Sequence, residues 1–341
     1  MGLPNDSGLK LYSKHRKGKK NLITDIKGVK VGSITLQKDN VNTGITVIFP
    51  HEGNIFQDKV MAAAAILNGF GKSMGLLQIE ELGTIETPII MTNTLSVGTA
   101  ATALTKYMLQ QNKDIGITTG TVNCLITECN DGRLNDIRGL HVTEKDVFRA
   151  LNSASEDFEE GAVGSGTGMC CLGLKGGLGS ASRIIDVDEK EFTIGALVMS
   201  NFGSSGNLTI GGDPIGSRIK EALDIKKDEG SIIIIIATDI PLSERQLKRI
   251  AKRAAISLAR TGSYMGNGSG DIAIAFTTAN RVPHYSLTDI IETKMFFDDN
   301  IDKVFEASVE AIEEAIISSL YHAKTTVGYL DKEVKALSDY L

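Results

Sequence analysis

Cysteine and proline are scarce in this chain, and long apolar runs are missing altogether. Four cysteines occur, Cys124, Cys129, Cys170 and Cys171. None forms the C-x-x-C pair that holds zinc or exchanges disulfides, so each is expected to be a buried small hydrophobe. No stretch approaches the ~18 apolar residues of a membrane helix. The N-terminal ~30 residues also lack the apolar core and small-residue cleavage site of a secretory signal. The expectation is a cytoplasmic chain with no membrane partner. With 6 prolines, 42% hydrophobic and 23% charged residues, the composition is that of a globular protein.

An excess of basic charge is absent too. Lys and Arg number 36 against 42 Asp and Glu, a net charge of -6, so no broad footprint for nucleic acid exists. The local exception is Lys10 to Lys20 (KLYSKHRKGKK), which reads as a solvated arm. The five histidines (15, 51, 141, 284 and 322) include no H-E-x-x-H pair, so no metal is predicted. No G-x-S-x-G elbow supports an α/β-hydrolase, and His141 and His284 read as structural. Gly161 to Ser182 holds eight glycines, but Lys175 follows Leu174 rather than the glycine of a P-loop, and no G-x-G-x-x-G occurs. Close-packed backbone turns are the expected use of that stretch.

What is present is an alternation of apolar, β-branched runs with amphipathic stretches, the pattern of sheets covered by helices. Strands are expected over Gly44 to Phe49, Pro88 to Thr92, Cys124 to Thr127, Phe192 to Ser200, Ser231 to Thr238 and Asp271 to Thr278. Ile232 to Ile236 is a run of isoleucine, which suits a central strand buried on both faces. After it, Ser243 and Gln246 form a capping-box pattern opening a helix through Leu258. Further helices are expected over Lys59 to Phe70, Thr99 to Gln110, Glu144 to Ser153 and Ile301 to His322, the last with acidic residues opposite its apolar side. No linker divides the 341 residues, so one domain, 1–341, is the simplest organisation.

Small hydroxyl and amide residues gather at two strand starts, Gly230-Ser231 and Asn267-Gly268-Ser269-Gly270-Asp271. Such positions are fixed by the sheet and open to a ligand, although a Gly-Ser turn before a strand is common and spacing alone favours a structural use. Taken with other blocks, these residues resemble the DmpA-like peptidases, self-processing enzymes that include L-aminopeptidase D-Ala-esterase/amidases and β-peptidyl aminopeptidases. The blocks are ITDIKGVKVGSIT from Ile23, TPIIMTNTLSVG from Thr87, ECNDGRLNDIRG from Glu128, GSGTGMCCLGLKGGLGSASR from Gly164, GSIIIIIATDIPL from Gly230 and NGSGDIAIAFTTAN from Asn267.

The resemblance implies a four-layer αββα sandwich, similar to but topologically distinct from the N-terminal-nucleophile (Ntn) hydrolases. It also implies cleavage between Gly230 and Ser231 into an α chain, 1–230, and a β chain, 231–341. Ser231 would be the nucleophile and its freed α-amine the base. Ser269 and Asp271 would hydrogen-bond around that amine and hydroxyl, with Asp271 standing where the family pattern has Glu. Asn201 matches the oxyanion donor and Glu128 the anchor for a substrate ammonium. Arg133 stands where the family often has Tyr. The implied substrates are short peptides, amides or esters with a small N-terminal residue, turned over without cofactor or metal by a homo-oligomer of cleaved αβ heterodimers. Two alternatives are an acyltransferase of the ornithine-acetyltransferase type, against which a serine nucleophile argues, and a non-catalytic scaffold that keeps the fold.

Overall fold

The computed structural model describes residues 2–4, 7–219 and 224–341. In chain order the main elements are β1 (Lys30–Lys38), β2 (Val41–Phe49), β3 (Asp58–Gly69), α1 (Leu76–Leu82), β4 (Thr84–Ile85), β5 (Ile89–Asn93), α2 (Val97–Gln111), β6 (Leu125–Cys129) and α3 (Glu144–Asn152). A small hairpin of β7 (Cys170–Cys171) and β8 (Leu174–Lys175) leads into β9 (Gly177–Val187) and β10 (Lys190–Asn201). Then come β11 (Glu229–Thr238), α4 (Glu244–Lys252), α5 (Ala254–Thr261), β12 (Gly268–Pro283) and α6 (Asp302–Tyr321).

Among the described residues the two large sheets are ordered β1-β2-β5-β6 and β4-β3-β12-β11-β10-β9. The isoleucine run shows how they stack. Successive strand residues point to opposite faces: Ile232, Ile234 and Ile236 join the core under α4, α5 and α6, whereas Ile233 and Ile235 join the layer between the sheets. Helices α2 and α3 cover the outer face of the four-stranded sheet. The order is helices, sheet, sheet, helices, as expected. β11 and β12 run parallel, while β10 and β3 flank them antiparallel.

Four local expectations are corrected. Lys59 to Phe70 is not a helix but β3, buried on both faces over its middle: Ala62 and Ala64 face the other sheet, and Ala63 and Ala65 face the helices. Double-sided burial outweighs the helix preference of four alanines. The helix opened by the Ser243 capping box breaks at Arg253 into α4 and α5. The second half of the Gly-rich stretch is strand β9 rather than turns. Its Gly179 lets α6 approach closely, since a Cβ there would sit 2.0 Å from Ala315 O.

The fourth correction joins the basic arm to α6, where acidic residues do not face water. Glu310, Glu313 and Glu314 are buried, and the arm lies along them: Lys17 pairs with Glu314 at 2.8 Å and Lys14 with Glu306 at 2.6 Å. Arg183, fully buried on β9, donates to Glu310 at 3.2 Å and Glu314 at 2.5 Å. Burial alone works against the Glu314 charge, but Arg183 and Lys17 outweigh it and hold the carboxyl below its usual range. Arg183→Ala removes the one fully buried cation that two buried carboxylates share, leaving Glu310 without an ion-pair partner among the described residues and Glu314 with Lys17 alone. A cost of about 3–5 kcal/mol in unfolding free energy is expected from urea denaturation. An unchanged midpoint would contradict a structural role for this cluster.

Candidate active site

Ser231 is the third residue of β11 and shares a face with Ile233 and Ile235, toward the space between the sheets. It opens onto a cleft of about 740 Å³, lined also by Glu128, Arg133, Asn201 and Gly230. The Ser231 hydroxyl donates to the Gly230 carbonyl oxygen at 2.5 Å. Gly230 has φ +117, and a Cβ there would lie 2.0 Å from Asn201 O. Only glycine reaches this conformation without strain or collision.

Asn201 ends β10 directly opposite Ser231 in the ladder. Its Oδ1 accepts from Cys170 N at 2.9 Å and its Nδ2 donates to Asn130 O at 3.0 Å. These bonds fix the amide with Nδ2 still carrying a second N–H. Lys175 braces the turn that delivers Cys170. Its buried ammonium donates to the carbonyls of Gly166, Met169 and Gly176 at 3.1, 2.8 and 2.8 Å, and burial pulls its pKa down to about 8.

On the other side Ser231 pairs with Gly270 of β12. A Cβ at Gly270 would come within 2.9 Å of Ser231 Oγ and 2.7 Å of Phe70 O. Ser269 and Asp271 therefore flank Ser231 in register, and strand alternation turns their side chains to the opposite face from its hydroxyl. They bond to each other, Ser269 Oγ donating to Asp271 Oδ1 at 2.6 Å. The expected hydrogen bonds to the Ser231 hydroxyl are not formed, since that hydroxyl bonds the Gly230 carbonyl instead. Asp271 Oδ2 is buried with no partner, and burial pushes this carboxyl up to about 6.

Glu128, buried on β6, accepts from Lys72 N at 2.7 Å and from the Thr94 hydroxyl. Arg133 is exposed on the turn that follows. The thiols cannot compete with serine: burial drives Cys129 well above its ordinary value and Cys171 to about 12. Among the described residues no cluster of three His, Cys, Asp or Glu side chains could hold a metal, and no helix is long and apolar enough to cross a membrane. His284 bridges Lys59 and Thr119 at 2.8 Å each, away from the cleft. Sequence reasoning missed Lys72, Thr94 and Cys170, whose parts are played by a backbone N–H, a hydroxyl beyond a strand end and another backbone N–H.

A serine hydroxyl seated on a carbonyl, with an amide donor opposite and no ionisable thiol, is equipment for acyl chemistry at serine. Comparison with known proteins agrees on the class, a peptidase. More particularly, the chain belongs to peptidase family S58, whose profile matches residues 21–334. It is 36% identical to the β-peptidyl aminopeptidase BapA of Sphingosinicella microcystinivorans, covering 91% of this chain and 84% of that one. Among solved structures it superposes on the PH0078 protein of Pyrococcus horikoshii OT3 with a TM-score of 0.94 and 53% identity, over 98% of this chain and 96% of that one. It also matches the L-aminopeptidase D-Ala-esterase/amidase of Ochrobactrum anthropi, described as a prototype serine aminopeptidase and a new variant of the Ntn hydrolase fold. There the TM-score is 0.89 with 36% identity, over 97% and 94% of the two chains. The chain is accordingly a hydrolase of the serine aminopeptidase and amidase kind, and its αββα arrangement is that Ntn variant.

Proposed function

We propose that the chain cuts itself between Gly230 and Ser231 and then works as an N-terminal-serine aminopeptidase on short peptides, amides or esters. The observation that carries this reading is the seating of the Ser231 hydroxyl on the Gly230 carbonyl at 2.5 Å, at a glycine no other residue can replace. Attack of Oγ on the Gly230 carbonyl carbon breaks the C–N bond and forms an ester. Water then releases the Gly230 carboxylate and leaves Ser231 with a free hydroxyl and a free amine.

That amine has a reference pKa of about 7.7–8.0, so a useful fraction is neutral near pH 7 and accepts the hydroxyl proton. Oγ then attacks the scissile carbonyl, and the Asn201 amide donates to the developing oxyanion. Collapse expels the leaving amine with the proton, and water hydrolyses the acyl ester on Ser231. Asp271, beside the new amine with one unsatisfied oxygen, holds its positive form, and Ser269 orients that carboxyl. Glu128 takes the substrate ammonium, since a carboxylate has room for further bonds.

Both fragments remain in one body, because β12 and most of β11 lie between strands β3 and β10 of the α chain. The exposed apolar side chains of Leu287, Ile290, Met295 and Phe297 support assembly into a homo-oligomer, and four buried free thiols support a cytoplasmic setting. Gly230→Ala is the direct test. A Cβ at Asn201 O must displace the strand start, so self-cleavage, followed on a denaturing gel, should slow by at least about tenfold. Wild-type cleavage rates in this variant would remove the main support for the reading.

Asp271 makes a second, quantitative expectation. Its folded-state pKa lies above the unfolded value, so the folded chain binds the proton more tightly. This group's stability contribution is greatest below about pH 4 and declines as the carboxyl ionises toward pH 6. A shift of about two units corresponds to an order of 3 kcal/mol as an upper bound. Asp271→Asn, compared in the uncut Ser231→Ala background by urea denaturation, should stabilise the fold at pH 7.5 and have little effect at pH 4. Equal effects at both values would contradict a buried carboxylate with one unsatisfied oxygen.

A further inference from the structure

The cleft is charged oppositely on the two sides of Ser231. In the sheet order β3-β12-β11-β10, Glu128 sits on the β12 and β3 side. Its Oε1 lies 3.5 Å from a Cβ placed on Gly71, and the same Cβ is 3.9 Å from Gly270. Arg133 and Lys332 line the cleft on the β10 side. Both act electrostatically on the Cys170 thiol, whose backbone N–H is held by Asn201.

Neither Arg133 nor Lys332 has a carboxylate partner among the described ion pairs, although both are exposed at the cleft. Their backbones are nonetheless anchored together. Leu134 N and Asn135 N donate to Asp131 O at 3.1 and 3.0 Å, and Tyr329 N donates to Leu134 O at 2.7 Å. This docks the C-terminal turn carrying Lys332 on the turn carrying Arg133. The third cation of the lining, Lys72, belongs to the Glu128 side: its backbone N–H donates to Glu128, and its ammonium stands over the Phe70 ring, which also lines the cleft, 4.2 Å from the ring centre.

We propose that Arg133 and Lys332 form a carboxylate-binding subsite on the leaving-group side of Ser231, so that the enzyme takes dipeptides and tripeptides with a free C-terminus. This rests on the aminopeptidase reading above. Strands β12 and β10 lie two strand spacings apart, about 10 Å; three extended residues at about 3.4 Å each bridge that distance, and two cover about 7 Å of it, leaving the rest to the reach of the Glu128 and Arg133 side chains. With the substrate amine at Glu128 and its carboxylate at the paired cations, the scissile carbonyl falls between, over Ser231. A guanidinium matches a carboxylate with two parallel N–H donors, and the neighbouring ammonium adds charge.

The test compares kcat/KM for a dipeptide and for its C-terminal amide, two substrates that share one acyl residue. Wild type is expected to favour the free acid by about tenfold, the ordinary worth of a charge-assisted contact. Arg133→Gln should bring that ratio close to one, mainly by raising KM for the acid, and Arg133→Lys should restore part of it. Lys332→Gln, in a surface turn, must move the same ratio. A wild-type ratio near one overturns the subsite alone, as does an Arg133→Gln loss that is equal for both substrates and falls on kcat. Self-cleaved protein that turns over neither substrate overturns the aminopeptidase reading and this proposal together.

Discussion

Ser231→Ala is expected to persist as a single uncut chain of 341 residues and to lose turnover on the order of a million-fold, the scale seen when a serine nucleophile is removed. The two losses have one cause. Without Oγ nothing attacks the Gly230 carbonyl, so the α-amine that would serve as base is never released. A single substitution thus removes nucleophile and base together. Ser231→Thr separates the steps, because it keeps a hydroxyl: processing should continue slowly while the extra methyl crowds Gly270, whose lack of a side chain makes room for Oγ. Rapid peptide hydrolysis by uncut Ser231→Ala protein would transfer the chemistry to another residue. The buried thiols, with pKa values raised far from neutrality, offer no ready substitute.

The second large effect is at Asn201. Asn201→Ala should lower kcat by about 10²–10³, or about 2.7–4 kcal/mol, with a smaller change in KM, because the amide meets a charge that exists only on the way through the tetrahedral state. The same side chain also holds Cys170 N and Asn130 O, so alanine alone does not separate a donor from a brace. Asn201→Asp does. Aspartate still accepts from Cys170 N but has no N–H to give to the oxyanion or to Asn130 O, and its charge opposes the oxyanion. A kcat loss in Asn201→Asp at least as large as in Asn201→Ala, with KM and the urea midpoint close to wild type, assigns the effect to the donor. Recovery of most activity in the aspartate variant would assign it to the brace and leave the oxyanion to other groups.

How much of this was legible in the sequence depended on whether the determinant was local. The isoleucine strand, the Ser243 capping box and helix α6 announce themselves in composition and spacing, and the structure places them where the sequence predicts. Strand β3 does not, because four consecutive alanines favour a helix until burial on both faces decides otherwise. Helix α6 lies where its periodicity puts it, yet its glutamates Glu310, Glu313 and Glu314 are buried rather than turned to water. Their partner Arg183 lies more than a hundred residues away, and the arm bearing Lys17 lies nearly three hundred away.

The site divides the same way. Gly230, Ser231, Ser269 and Asp271 stand at two strand starts and could be singled out, although only the family resemblance gave them chemistry. Asn201 carries no local signal, and its meaning comes from register, since β10 sets it opposite Ser231. Lys332 had none at all. It reaches the cleft because a C-terminal turn docks on Leu134, a contact no periodicity encodes. The turn of Ser269 and Asp271 away from the Ser231 hydroxyl follows from a register that sets Gly270 opposite Ser231, and neither strand's own sequence encodes that pairing.

The most direct measurement is the intact mass of active wild-type protein under denaturing conditions, taken again after reaction with a slowly hydrolysed ester. Two species are predicted, residues 1–230 and residues 231–341, and only the second should gain the mass of the acyl group, at its N-terminal serine. Full activity from a single species with the mass of the whole chain, or an acyl group on any residue but Ser231, would contradict the account.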